Sequence, residues 1–190
     1  MSARGASLAD PASDPSVLLY RALRRSGVDF FVSVPCKLLD GLIRTLEGAD
    51  DVIYTPVTRE EEGLGILAGA WLAGRRPAIV MQNSGFGNSI NAVQSLLRYY
   101  RIPVVFVVSH RGSEGEPIEA QYNMGGVTKD LLRVNGIDTF EIGRPGELAT
   151  FDSAIPAAFA RQVPVAFLFP FAFWTAQPPV AAEATRVTTP

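Results

Sequence analysis

The chain has 190 residues, 47% of them hydrophobic and 19% charged, with a formal net charge of −2. That is the size of one compact domain, able to bury a core without metal or disulfide staples. One cysteine (Cys36) excludes an intrachain disulfide, one histidine (His110) leaves a Ser-His-Asp arrangement a single possible member, and scattered basic residues argue against a nucleic-acid partner.

Residues 1–14 lack the apolar core of a secretory signal and read as a flexible N-terminal lead. From there, short apolar runs alternate with helical spacing. Strands are expected at 28–34 (VDFFVSV), 51–55, 78–82, 103–109 (PVVFVVS), 139–142 and 163–169. Helices are expected at 37–46, 59–73, 86–100, 127–135 and 146–160, with a long Gly- and Glu-rich loop over 110–126. Residues 176–190 are rich in Pro, Ala and Thr and read as a flexible tail. The longest apolar stretch, 163–174, contains two prolines and falls short of the ~18–20 residues a membrane span needs, so a cytoplasmic chain without a membrane partner is expected. Strands apolar on both faces, alternating with helices, predict a doubly wound α/β domain over 15–175: a mainly parallel sheet of about six strands, helices on both faces.

Ligands of such sheets bind outside the carboxyl ends of the strands. Four segments fall there: 35–37, 56–62, 83–88 and 110–126. The segment TREEEG (58–63) opens a helix that is apolar almost all round. Acidic residues in a first turn favour the helix dipole, with Thr58 a natural N-cap. The apolar body, however, places Glu60 on the stripe of Leu64, Leu67 and Ala68, where a carboxylate must find a partner. In MQNSGFGNSIN (81–91), Gly85 and Gly87 permit a tight strand-to-helix turn and close approach of a ligand; no third glycine or P-loop lysine follows. His110 and Arg111 leave the most apolar strand where an anion would sit, and Arg suits bidentate contact with oxyanions. Lys37 is one of two lysines, beside a Cys36 that reads as packing more readily than as a nucleophile.

Together, VPCKLLDGLI, PVTREEEGLGILAGAWLAG, MQNSGFGNSINA, SHRG and AQYNMGGVTKDLL resemble the sulfopyruvate and phosphonopyruvate decarboxylases, over roughly residues 16–174. These are thiamine-diphosphate 2-oxo acid decarboxylases, and the stretch is similar to their pyrimidine-binding domain, in particular to sulfopyruvate decarboxylase alpha chains. The resemblance implies that the glutamate nine residues before Gly69, which is Glu60, bonds the cofactor's aminopyrimidine and favours the tautomer that activates the thiazolium. It makes Gly85 and Asn88 cofactor-side candidates. Lys37, Asn83, His110, Arg111 and Gln121 are substrate-side candidates by their place on the strand-end loops. Phe86 stands where this family has a smaller aliphatic residue. The family's Gly-Asp-Gly segment, which holds the diphosphate through Mg²⁺, does not occur in the 190 residues. A separate beta subunit is therefore expected to hold the metal, with no metal ligand in this chain, and the phenylalanine-rich stretch 167–174 is one candidate contact for it. The expected substrate is a small anionic 2-oxo acid, sulfopyruvate or phosphonopyruvate; a non-catalytic assembly module of the same fold is the alternative.

Overall fold

The structure, a computed structural model, describes residues 14–175 and 185–186. The strands are β1 (Phe30–Ser33), β2 (Ile53–Pro56), β3 (Pro77–Gln82), β4 (Val105–His110), β5 (Asp138–Glu141), β6 (Val165–Pro170) and β7 (Thr185–Arg186). The α-helices are α1 (Pro15–Arg25), α2 (Asp40–Glu47), α3 (Glu60–Leu72), α4 (Asn83–Ala92), α5 (Tyr122–Val134), α6 (Phe151–Arg161) and α7 (Phe171–Thr175). One sheet runs β2-β1-β3-β4-β6-β5-β7, with all six longer strands parallel and the two-residue β7 antiparallel to β5. The expected six-strand parallel sheet is present. The lead at 1–13 and most of the tail lie outside the described residues.

Alternation along the strands builds two cores. Phe31, Val80, Val107 and Phe167 pack under α1, α2 and α6, while Val32, Ile79, Phe106 and Leu168 pack under α3, α4 and α5. Because β1 leads to α2 on one face and β3 to α4 on the other, the chain diverges between β1 and β3. That divergence opens a crevice at their carboxyl ends, the place where doubly wound sheets receive ligands.

Several elements depart from the sequence expectation. Residues 15–25, to which the patterns above assign no element, form α1: Asp14 accepts from the Ser16 N–H at 2.7 Å, Pro15 occupies the first turn, and Leu19, Ala22 and Leu23 are buried. The helices after β3 and β4 begin at Asn83 and Tyr122, earlier than expected, because Gly85 and Gly125 lie inside helices rather than in turns. Phe167, Phe169 and Phe173 are fully buried, while Phe171 and Trp174 are half-buried, so much of the stretch expected to meet a partner is core.

Gly63 sets how closely α3 lies on the sheet: a Cβ there would stand 2.7 Å from Val32 Cγ1 and 3.3 Å from Val57 Cγ2. Glu60 is one turn earlier on the same helix, so this contact fixes its height over the sheet edge. Gly63→Ala should overpack the site and lower unfolding stability by about 1–3 kcal/mol in urea denaturation.

Candidate active site

Glu60 begins α3 with Arg59 at the N-cap position, and not Thr58. Its two acidic neighbours are engaged elsewhere: Glu61 pairs with Arg59, and Glu62 accepts the Thr58 hydroxyl at 3.1 Å. Glu60 is the one buried residue of the three, 8% exposed, while Glu61 is half-buried with its Oε2 unpartnered. Asn88 Nδ2 donates to Glu60 Oε2 at 3.2 Å. Its carboxylate lies against the bare backbone of Gly85, where a Cβ would fall on Oε1 and stand 2.6 Å from Cδ. Gly85 is therefore a contact glycine, made necessary by Glu60, and not the turn glycine its sequence context suggests. Among the described residues nothing donates to Oε1, which leaves one acceptor free at the sheet edge.

A second cluster covers the ends of β1, β3 and β4. Gln82 Nε2 donates to Ser84 Oγ at 2.9 Å and to Gln121 Oε1 at 3.0 Å. The Cys36 thiol reaches Gln82 Oε1 at 3.7 Å and Ser109 Oγ at 3.3 Å, spanning the crevice between β1 and β3. Arg111 is buried, and its Nε and Nη2 grip both Glu116 oxygens at 2.6 and 2.7 Å. Its guanidinium also lies against Cys36. Glu116 further accepts the Gly112 and Ile118 N–H groups at 3.2 and 3.1 Å. Bonds from Arg111 first, then those N–H donors, pull its carboxyl from the ordinary 4.5 to about 2.

Asn83 is fully buried and behaves like a backbone rung. Its Oδ1 accepts the Arg111 N–H at 3.2 Å, and its Nδ2 donates to Arg111 O at 3.0 Å and Thr128 Oγ1 at 2.8 Å. Both amide hydrogens are thus engaged in tying the exit of β4 to the start of α4. His110 Nε2 meets Gly125 O at 3.1 Å, while its Nδ1 is buried without a partner. Burial pushes its pKa below 6.5, which keeps the ring neutral at pH 7. Lys37 stands exposed in the turn after β1, beside Cys36 in a groove completed by Pro35, Asp40, Ile43 and Glu47. No carboxylate among the described residues reaches its ammonium.

The structure therefore joins Glu60, Gly85 and Asn88 in one cluster, and Asn83, Arg111 and Gln121 in a second network with Gln82 and Cys36. It turns His110 onto α5 and leaves Lys37 on the outer lip. Gln82, Ser109 and above all Glu116 are absent from the sequence expectation. Glu116 is an acid in a Gly-rich loop, which by itself is no signal.

Residues 16–131 match the family described as "Thiamine pyrophosphate enzyme, N-terminal TPP binding domain". The sulfopyruvate decarboxylase subunit alpha of Methanococcus maripaludis is 44% identical over 160 residues, 84% of this chain and 96% of that one. A phosphonopyruvate decarboxylase of Streptomyces viridochromogenes is 38% identical over 155 residues, 80% of this chain but 39% of that protein. A solved 2-oxoglutarate:ferredoxin oxidoreductase from Magnetococcus marinus, with 2-oxoglutarate, coenzyme A and succinyl-CoA bound, shares the fold. Its TM-score is 0.64 at 11% identity, over 84% of this chain and 29% of that one.

The two perturbed groups set a pH dependence. His110, held neutral by burial, contributes stability that is lost as pH falls below 6.5. Glu116 contributes stability that is present above 4.5 and lost as pH falls from 4.5 toward about 2. The urea midpoint should fall in two stages on acidification, and replacing Arg111 and Glu116 together by glutamine should weaken the lower stage.

Proposed function

Because this chain belongs to the thiamine pyrophosphate enzymes through their N-terminal TPP-binding domain, and among them to the sulfopyruvate decarboxylase alpha subunits, we propose that it forms half of a decarboxylase site. The reaction converts 3-sulfopyruvate to sulfoacetaldehyde and carbon dioxide, and a beta chain supplies the other half. The observation that carries this reading is Glu60, buried at the carboxyl edge of the sheet, with one oxygen held by Asn88 and the other free.

The residues present fit thiamine diphosphate. A free carboxylate oxygen at the start of an apolar helix suits a protonated ring nitrogen, and the bare backbone at Gly85 leaves room for that carboxylate. Glu60, Gly85 and Asn88 would hold the pyrimidine end. When bound, the cofactor supplies the electron sink into which the bond between the carboxylate and the keto carbon breaks. Glu60 Oε1 holds or yields the proton shared with the ring, and Asn88 keeps that oxygen aimed by engaging its twin. Burial strengthens this hydrogen bond by excluding water. Lys37, Arg111 and Gln121 form the substrate-side edge, Asn83 braces it, and neutral His110 borders it.

The diphosphate and Mg²⁺ are assigned to the beta chain, since the Gly-Asp-Gly segment is missing here. A face for that chain is available on α3 and α4. Beyond Glu62 neither helix carries a charge, Gly65 and Gly69 face open space, and Leu72 and Tyr99 are 80% and 76% exposed. Depletion of charge with exposed large apolar residues is the composition of an interface core. Among the described residues no helix is long and apolar enough to cross a membrane, and we assign the complex to the cytoplasm. Phosphonopyruvate is the second reading, supported by the Streptomyces relative. A non-catalytic module has no use for a buried carboxylate with a free oxygen.

Purified alone, the chain should release no aldehyde from sulfopyruvate; with the beta chain, thiamine diphosphate and Mg²⁺ it should turn over. Full turnover by the isolated chain would sink the divided site. Glu60→Gln should lower kcat of the complex by about 10²–10⁴-fold with little change in Tm; near-normal kcat would remove Glu60 from the chemistry.

A further inference from the structure

We propose that Glu116 determines which tetrahedral anion the site accepts: by neutralising Arg111 it leaves Lys37 as the free cation of the substrate edge, matched to a singly charged sulfonate and not to a doubly charged phosphonate. This rests on the decarboxylase reading above and concerns the substrate of that same site.

Five cations lie near the carboxyl ends of the strands among the described residues. Arg59 is paired with Glu61, Lys129 with Glu141, Arg144 with Glu147, and Arg111 with Glu116; Lys37 is exposed and unpaired. The Arg111 pair is the most complete, bidentate at 2.6 and 2.7 Å, with the Glu116 side chain fully buried. The other groups that meet Arg111 are the Asn83 amide from α4 and the Cys36 side chain after β1, and behind Cys36 lie the neutral Gln82, Gln121 and Ser109 side chains. His110, next in the chain, is neutral and turned onto Gly125. Such an edge offers hydrogen bonds and one unpaired positive charge, Lys37, in a groove also lined by Glu47 and by Asp40, which is paired with Arg44.

The two candidate substrates share a three-carbon 2-oxo acid skeleton and differ at the far end. A sulfonate carries one charge at every working pH. A phosphonate gains a second as its last proton leaves, at a pH of about 6–7 by analogy with phosphate groups. Drawing that second charge out of water without a second free cation is unfavourable. Glu116, which touches no substrate in this arrangement, acts through Arg111 and is a specificity-determining residue by charge.

The test uses the complex with the beta chain, thiamine diphosphate and Mg²⁺, and reads kcat/KM for both substrates. In the wild type, the ratio of phosphonopyruvate to sulfopyruvate should fall by roughly tenfold or more between about pH 6 and pH 8, as the dianion replaces the monoanion. Enzyme ionisations common to both substrates cancel in that ratio. Glu116→Gln should raise the ratio at about pH 7.5 by roughly tenfold, chiefly through KM, and adding Arg111→Gln should restore the wild-type ratio. A binding readout comes from protection of Cys36 against a thiol-alkylating reagent, where 3-sulfopropanoate should protect the wild type better than 3-phosphonopropanoate. If Glu116→Gln does not fold, the wild-type pH series and the protection experiment decide. Sulfopyruvate turnover with a pH-independent ratio, or equal protection by the two analogues, overturns this inference alone. Turnover of neither substrate overturns the decarboxylase reading beneath it.

Discussion

A carboxylate pressed against bare backbone is the contact from which the rest of this site follows. For Glu60 to lie over the sheet edge, α3 must sit close on β1, which the missing side chain at Gly63 allows. For its oxygens to be accommodated, α4 must pass with no Cβ at position 85. For one oxygen to keep a fixed direction, a donor must come from the next turn of α4, and Asn88 is that donor. Two glycines and one amide, on two helices, thus serve a single side chain. Buried polar groups are tolerated only when geometry satisfies them, and here one acceptor is left over.

The opposite side of the crevice follows a different principle. There the charged groups are matched among themselves: Arg111 and Glu116 form a buried pair that also binds two backbone N–H groups of the same loop. A pair of this kind adds little net stability, because desolvation offsets most of its attraction, but breaking it would strand a buried charge. It therefore acts as a latch on residues 111–118. Asn83 adds a second latch, joining Arg111 by two hydrogen bonds in the manner of a strand neighbour. The edge is thereby rigid and lined with neutral polar groups.

The two clusters together line the carboxyl edge of the sheet, where the proposed site lies. The sheet supplies a floor, α3 and α4 one wall, and the pinned loop the other, while the outward side of α3 remains apolar and open. A helix apolar all round is normally enclosed by protein. Its enclosure on one side only agrees with membership of a family in which this domain is one part of a larger assembly.

The alternation of strands and helices was legible in the sequence, because burial on both faces leaves unbroken apolar runs and their spacing is a local property. A buried carboxylate was legible for the same reason: the stripe of Leu64, Leu67 and Ala68 turns the start of that helix inward. Helix α1 lies outside the expected elements, although Asp14, Pro15 and the spacing of Leu19, Ala22 and Leu23 announce it. Sequence context makes Gly85 a turn former and leaves Gly125 in a loop, because a glycine looks alike whether it frees φ or clears space for a neighbour, and the neighbours, Glu60 and the Arg111 carbonyl, lie on other segments. Sequence alone points the Arg111 guanidinium at a ligand and the phenylalanines at 167–173 at a partner; folding gives the first to Glu116, and Phe167, Phe169 and Phe173 to the core. Residue spacing alone determined the alternation of strands and helices from β1 onward and put a carboxylate at the buried start of α3; which of the three glutamates it is came from the resemblance of TREEEG to its family. Which charges cancel, and which are left for a ligand, was decided only when packing brought separate segments within a few ångströms, the range over which hydrogen bonds and ion pairs act.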